Sequence, residues 1–214
     1  MPAVAGSKPE SWFAFDSESL AQAIARLRSD PAVSLPGLGE SALRRLATAA
    51  GEIGYRDARP VIGEGARAVT QDFEVSLDFP RFPPDSPFSH LAAALEAVTS
   101  EALACLGPDA YPDPLRFNDL IVQRYPAGSR GISPHRDHLR YRALVALFIL
   151  SGDGRFCLCA DRSGRDPIEL PSPPGSLLLM RAPGLWGREE RPFHYLDGIE
   201  SGRISLGLRF DSRA

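Results

Sequence analysis

Apolar positions along the chain fall into two regimes. Residues 17–30, SESLAQAIARLRSD, set Leu20, Ile24 and Leu27 at helical spacing, with Ser17 placed to cap the first turn. GESALRRLATAAGEIG (39–54) repeats that spacing and stops on Gly54. DFEVSLDF (72–79) alternates polar and apolar residues as a strand does. The Pro-rich break FPRFPPDSPF precedes a third helical stretch, SHLAAALEAVTSEALACLG (89–107), which closes on Gly107.

From Arg116 onward the period shortens. FNDLIVQRY, ALVALFIL, RFCLCAD, PIELP, GSLLLMRA and RISLGLRF follow one another, separated by Gly, Pro and Asp turns. Short strands with turn punctuation predict a sandwich, jelly roll or barrel. Helices first and strands afterwards make an α+β chain whose N-terminal helices buttress a sheet. The expected layout is a single domain over 1–214: a loose tail at 1–10, a helical elaboration over 11–107 and a jelly-roll core over 116–210. A chain of 214 residues can bury such a core.

Composition narrows the function classes a little. A net charge of -3 gives no global attraction to nucleic acid or anionic membrane. Lys8 is the only lysine, so the arginine count reflects bias before it reflects phosphate binding. Cys105, Cys157 and Cys159 are odd in number, and Cys-Leu-Cys is not a zinc or redox spacing, so buried thiols are expected. The opening MPAVAGSKPESWFAFD has no charged segment followed by an apolar one, and no run is long enough to span a bilayer. A cytoplasmic protein with no membrane partner, monomeric by default, is the expectation.

The chemistry gathers in SPHRDHLRYR. On extended backbone, residues two apart share a face, so His135 and Asp137 point one way, Arg136 and His138 the other. An imidazole and a carboxylate on one face are half of a divalent metal site. A third ligand from a distant strand would complete the triad of two His and one carboxylate typical of non-haem Fe(II) oxygenases. His194, just before the last strand, suits that place better than His90, which opens a helix. In RISLGLRF the alternation puts Arg203, Ser205, Gly207 and Arg209 on one face. Arginine forks bind carboxylates. Because the two arginine backbones stand roughly 20 Å apart, both side chains must lean inward to hold one small dicarboxylate.

His135, Asp137, His194 and Arg203, in that order, resemble the signature of the Fe(II)- and 2-oxoglutarate-dependent dioxygenases. The AlkB-like branch is the more specific likeness. It runs from about Phe82 to Phe210, through FNDLIVQRYPAGSRGISPHRD, ALFILSGDGRF, IELPSPPGSLLLMRAPGLW and RISLGLRF with its Arg-x5-Arg spacing. The resemblance implies a double-stranded β-helix. It implies that His135, Asp137 and His194 hold Fe(II), and that Arg203, with Tyr125 and Ser205, meets the far carboxylate of 2-oxoglutarate. Arg209 is implied near the keto acid end, steadying Asp137. The resemblance also implies molecular oxygen as co-reactant, release of succinate and CO2, and hydroxylation of a substrate C–H bond.

Three departures bear on substrate. Gln123 stands where such enzymes usually have Asn, so its amide reaches the cosubstrate differently. HLRYR replaces further acids after Asp137. GEGARAVTQDFEVSL, at the place of a nucleotide-recognition lid, has no Tyr or Trp, although flipped bases are read by aromatic stacking. Phe73, Phe79, Phe82 and Trp186 are available for stacking or for the core. Arg124, Arg130, Arg136, Arg140 and Arg142 either rim a phosphate site or are solvated. A small-molecule substrate is therefore ranked slightly ahead of alkylated nucleic acid, with a non-catalytic metal-binding jelly roll third.

Overall fold

The computed structural model describes residues 11–214, so the tail expected at 1–10 lies outside the described residues. Three helices, α1 (Ser17–Arg26), α2 (Glu40–Glu52) and α3 (Pro87–Leu106), form where the apolar spacing places them. The cap of α1 is Asp16, not Ser17: its carboxylate accepts from the Ser19 amide at 2.9 Å. α3 starts earlier than expected, because Ser86 caps it and Pro87 supplies a pre-set φ at its first position.

Thirteen strands run β1 (Ala32–Pro36), β2 (Tyr55–Asp57), β3 (Val61–Ile62), β4 (Val69–Asp72), β5 (Glu74–Ser76), β6 (Asp119–Tyr125), β7 (Gly131–His135), β8 (Tyr141–Gly152), β9 (Arg155–Cys159), β10 (Ile168–Leu170), β11 (Ser176–Arg181), β12 (Phe193–Asp197) and β13 (Arg203–Asp211). They make two antiparallel sheets. The larger has the order β1-β11-β8-β13-β6-β5-β2 and the smaller β10-β9-β12-β7-β4-β3. The expectation that 11–107 is helical needs correcting. Five of its strands complete both sheets, and β1 closes one edge of the larger by pairing with β11. These strands escape a pattern search because each has five residues or fewer.

DFEVSLDF is also not one strand. It breaks at Phe73 between β4, in the smaller sheet, and β5, in the larger. The ring of Phe73 turns into the interior against Tyr125, centroids 5.0 Å apart, so the chain crosses between sheets around a buried anchor.

The larger sheet is buried on both faces, which is why its strands read as continuous apolar runs. Leu120, Val122, Leu144, Ala146 and Phe148 face the three helices and share one core with Leu20, Leu46 and Leu91. Their neighbours Ile121, Val145, Leu147 and Ile149 face the other way, toward Phe156, Leu158 and Leu196 of the smaller sheet. Each such fully buried side chain contributes roughly 1.5–3 kcal/mol. The helices thus hold the larger sheet rigid while its other face lines a cavity.

Candidate active site

The two histidines face each other across strands that no apolar run announced. In the β7–β12 ladder His135 is the direct partner of His194, and their ring centroids lie 4.3 Å apart. The ladder shifts register between His194 and Leu196, next to Gly131. Gly131 has φ +74, and a Cβ there would lie 1.9 Å from the Leu196 carbonyl oxygen, so only glycine lets the backbones meet this closely.

Asp137 leaves the end of β7 toward the same point. Its Oδ2 is 3.8 Å from His194 Nε2, and one ligand atom from each of His135, Asp137 and His194 falls within 4.8 Å of the others. His135 Nδ1 lies 2.9 Å from the Ser133 carbonyl and His194 Nδ1 3.3 Å from that of Pro192. If each Nδ1 carries the proton and donates there, both Nε2 lone pairs are left for a metal. Burial pulls both imidazoles down, His135 to about 3 with help from His194, so both are neutral ligands near pH 7. Burial alone would raise Asp137, but Arg209 and then the imidazoles overcome it and hold the carboxyl below its usual range. Neutral imidazoles, an ionised carboxylate and buried positions fit a divalent ion of borderline softness.

Acid should therefore weaken the metal-free fold. The imidazoles titrate near 6.5 when unfolded and lower when folded, so the unfolded chain takes up protons first as pH falls. Stability is expected to drop from about pH 6.5 downward, by up to about 1.4 kcal/mol per pH unit for each imidazole. Thermal unfolding of chelator-treated protein between pH 7.5 and 4.5 checks this. A midpoint unchanged from 7 to 5 would contradict it.

The triad and Arg203 line a common cavity. Arg203 is 3% exposed, and its Nη1 reaches the carbonyls of Asp153, Gly154 and Ser172 only at 3.4–3.5 Å, while its Nε has no partner among the described residues. A buried guanidinium this poorly satisfied suits an anion. Burial brings it down to about 10, against the pull of Tyr125 and Asp153. Tyr125, Gln123 and Ser205 line the same cavity, whose apolar walls include Leu147, Ile149, Phe156 and Met180.

Arg209 does lean inward. Its guanidinium folds back over Gly207, where a Cβ would meet Nη1 at 3.0 Å and Nη2 at 3.2 Å, and its Nε is 3.6 Å from Asp137 Oδ1. Gly207 thus leaves room for an arginine. Gly207→Ala should push Arg209 off Asp137 and weaken divalent-metal binding roughly tenfold, with little change in melting temperature, in a calorimetric titration.

Other candidates lie elsewhere. His90 is exposed on α3, and exposed His138 sits edge-on to Tyr141 at 6.0 Å. Arg124, Arg130, Arg140 and Arg142 are paired with Glu74, Asp72, Asp211 and Glu189. Phe73 and Phe82 are core residues, Phe79 packs against the interior cluster, and Trp186 donates its indole N–H to the Ile24 carbonyl. Cys157 is buried, Cys159 half-buried and Cys105 exposed, all as free thiols. Pattern reading missed Arg191, which donates to the Asp137 carbonyl, and the buried pair Asp119 and Tyr141. Only Asp119 left a trace, an acid at an inward position of DLIV.

No family model matches the sequence, and no curated protein matches it. Solved structures share its architecture. A prolyl hydroxylase from Trichoplax adhaerens, in complex with a hypoxia inducible factor oxygen degradation domain peptide, superposes with a TM-score of 0.67 at 14% identity, over 92% of this chain and 91% of that one. The fold is the double-stranded β-helix of 2-oxoglutarate/Fe(II) oxygenases. HygX from Streptomyces hygroscopicus, with nickel, 2-oxoglutarate and hygromycin B bound, gives 0.59 at 16% identity over 89% and 86% of the two chains. OsALKBH1 gives 0.56 at 15% identity over 84% and 97%. In this double-stranded β-helix the triad and Arg203 line one cavity between the sheets. Among the described residues no helix is long and apolar enough to cross a membrane.

Proposed function

We propose that this chain is an Fe(II)- and 2-oxoglutarate-dependent oxygenase of AlkB-like type that hydroxylates a C–H bond of a small molecule. The observation that carries the reading is the convergence of His135, Asp137 and His194 within 4.8 Å, with Arg203 lining the same cavity. His135 and His194 would hold the iron through Nε2 and Asp137 through a carboxylate oxygen, leaving further coordination positions to small ligands. With 2-oxoglutarate and molecular oxygen, the iron supplies the oxidising power for hydroxylation, and succinate and CO2 are released. Arg203 would fork onto the far carboxylate, with Tyr125 and Ser205 as hydroxyl partners and Gln123 as an amide contact. Arg209 steadies Asp137. The walls Leu147, Ile149, Phe156 and Met180 keep water away from the reacting end.

A small molecule is favoured because the aromatic side chains suited to stacking a base are packed inside, and four rim arginines already have carboxylate partners. One observation favours alkylated nucleic acid as the second reading. Arg136 and Arg162 both lie over the Phe193 ring, beside the triad in sequence, and neither has a carboxylate within 4.0 Å among the described residues. The test is succinate release with Fe(II), 2-oxoglutarate and oxygen, against a metabolite panel and against oligonucleotides bearing alkylated adenine or cytosine. Formaldehyde from the oligonucleotides alone would reverse the ranking. No oxygen-dependent decarboxylation at all would leave a binding protein.

A further inference from the structure

Asp119 is 1% exposed, begins a strand of apolar residues, and belongs to none of the roles above. Its place is tightly fixed. It is the direct ladder partner of Arg209 across β6 and β13. The neighbouring Asn118 clasps the same strand end, donating to the Asp211 carbonyl at 2.9 Å and accepting from the Asp211 amide at 2.7 Å. Strand alternation puts Asp119 on the same side as Ile121, Gln123 and Tyr125, which face the interior. Its Oδ1 and the Nε of Arg209 are both buried without a hydrogen-bond partner among the described residues.

Two cations, Arg209 and Arg140, feel the charge of Asp119, and Tyr141 is its neutral neighbour. Arg140 is engaged by Asp211 at 2.9 Å. Tyr141 is buried beside the cluster, its ring 5.3 Å from the Arg209 guanidinium carbon, and His138 lies on its far edge. Arg209 therefore has two carboxylates nearby: Asp137, 3.6 Å from its Nε, and its ladder partner Asp119, which has no oxygen within 4.0 Å of the guanidinium. Asp119 does not itself line the cavity, but without it Arg209 would draw on Asp137 alone.

We propose that Asp119 is a positioning residue: it is the second counter-charge of Arg209, and it leaves Asp137 enough negative charge to hold the divalent ion. This rests on the metal reading above. The two ligands should respond in opposite directions when its charge is removed. A cation is bound less well by a more positive cavity, and an anion is not.

The experiment is calorimetric titration of chelator-treated, full-length protein with Mn(II), and separately with 2-oxoglutarate in the absence of metal. Asp119→Asn is expected to weaken Mn(II) binding about tenfold while 2-oxoglutarate binding stays equal or tightens. Asp119→Glu, which restores the charge, should recover most of the Mn(II) affinity. Unchanged Mn(II) affinity in Asp119→Asn would overturn the proposal. So would parallel loss of both ligands with a lowered melting temperature, which marks a merely structural role. If Asp119→Asn does not fold, Asp119→Ser is read by the same criteria. A wild-type protein that takes up no Mn(II) would sink the metal reading and this inference with it, whereas normal wild-type uptake with an unaltered variant sinks the role of Asp119 alone.

Discussion

Asp137→Ala is expected to reduce oxygen-dependent decarboxylation of 2-oxoglutarate by at least about a thousandfold, and to abolish stable binding of a divalent ion. The size of the effect follows from what meets at this side chain. Asp137 supplies the one negative charge among the three candidate ligands, so its loss leaves two neutral imidazoles facing a dication. Arg209 then loses its partner at 3.6 Å, and a guanidinium on a side chain only 11% exposed is left pointing at the metal position. The variant is penalised twice: a ligand is gone, and a positive charge repels the ion. Removing one member of a buried charge pair costs about 3–5 kcal/mol when nothing else compensates. Here Asp119 remains near Arg209 and offsets part of that cost, so the variant should still fold with a melting temperature a few degrees lower. Metal titration, 2-oxoglutarate turnover and thermal unfolding on the same preparation separate these effects. Turnover within tenfold of wild type would refute the assignment of Asp137.

The candidate metal-holding end was legible in the chain because its signals are chemical. His135 and Asp137 sit two apart, which survives any uncertainty about where β7 ends, and the ladder then brings His194 opposite. The Arg203 to Arg209 face was equally plain, since a period of two needs no tertiary information. What stayed hidden were features that only pairing creates. GISPH and FHYLD are poor strands by composition, yet each is held on both sides by neighbours in the smaller sheet. β1 to β5 are too short to show a period and exist through pairing with neighbours in the two sheets. Gly207 is clearance for Arg209, which alternation alone does not reveal. The rim arginines could not be sorted from sequence, because Glu74, Asp211 and Glu189 lie 47 residues or more from the arginines they meet.

Arg203→Met should raise the KM for 2-oxoglutarate about a hundredfold and leave kcat at saturating cosubstrate within a few fold. The guanidinium is 3% exposed and lines the same cavity as the triad, so its charge acts on a bound carboxylate through little water. Truncating one partner of a buried, hydrogen-bonded charge pair typically costs about 2–5 kcal/mol, which brackets that change. The fold should tolerate the substitution. The three carbonyls that Arg203 approaches are 3.4–3.5 Å away, at the weak limit of a hydrogen bond, and methionine fills much of the same volume. Arg203→Lys should be intermediate, because an ammonium keeps the charge and loses the planar fork. A pH arm adds an independent check. Burial brings Arg203 down to about 10, so the cosubstrate-free protein loses this positive charge as pH rises through that value. Affinity for 2-oxoglutarate is therefore expected to fall between pH 9 and 10.5 in the wild type, and Arg203→Met should show no such fall. If the KM of Arg203→Met stayed within threefold of wild type, the dicarboxylate would have to be anchored elsewhere in the cavity.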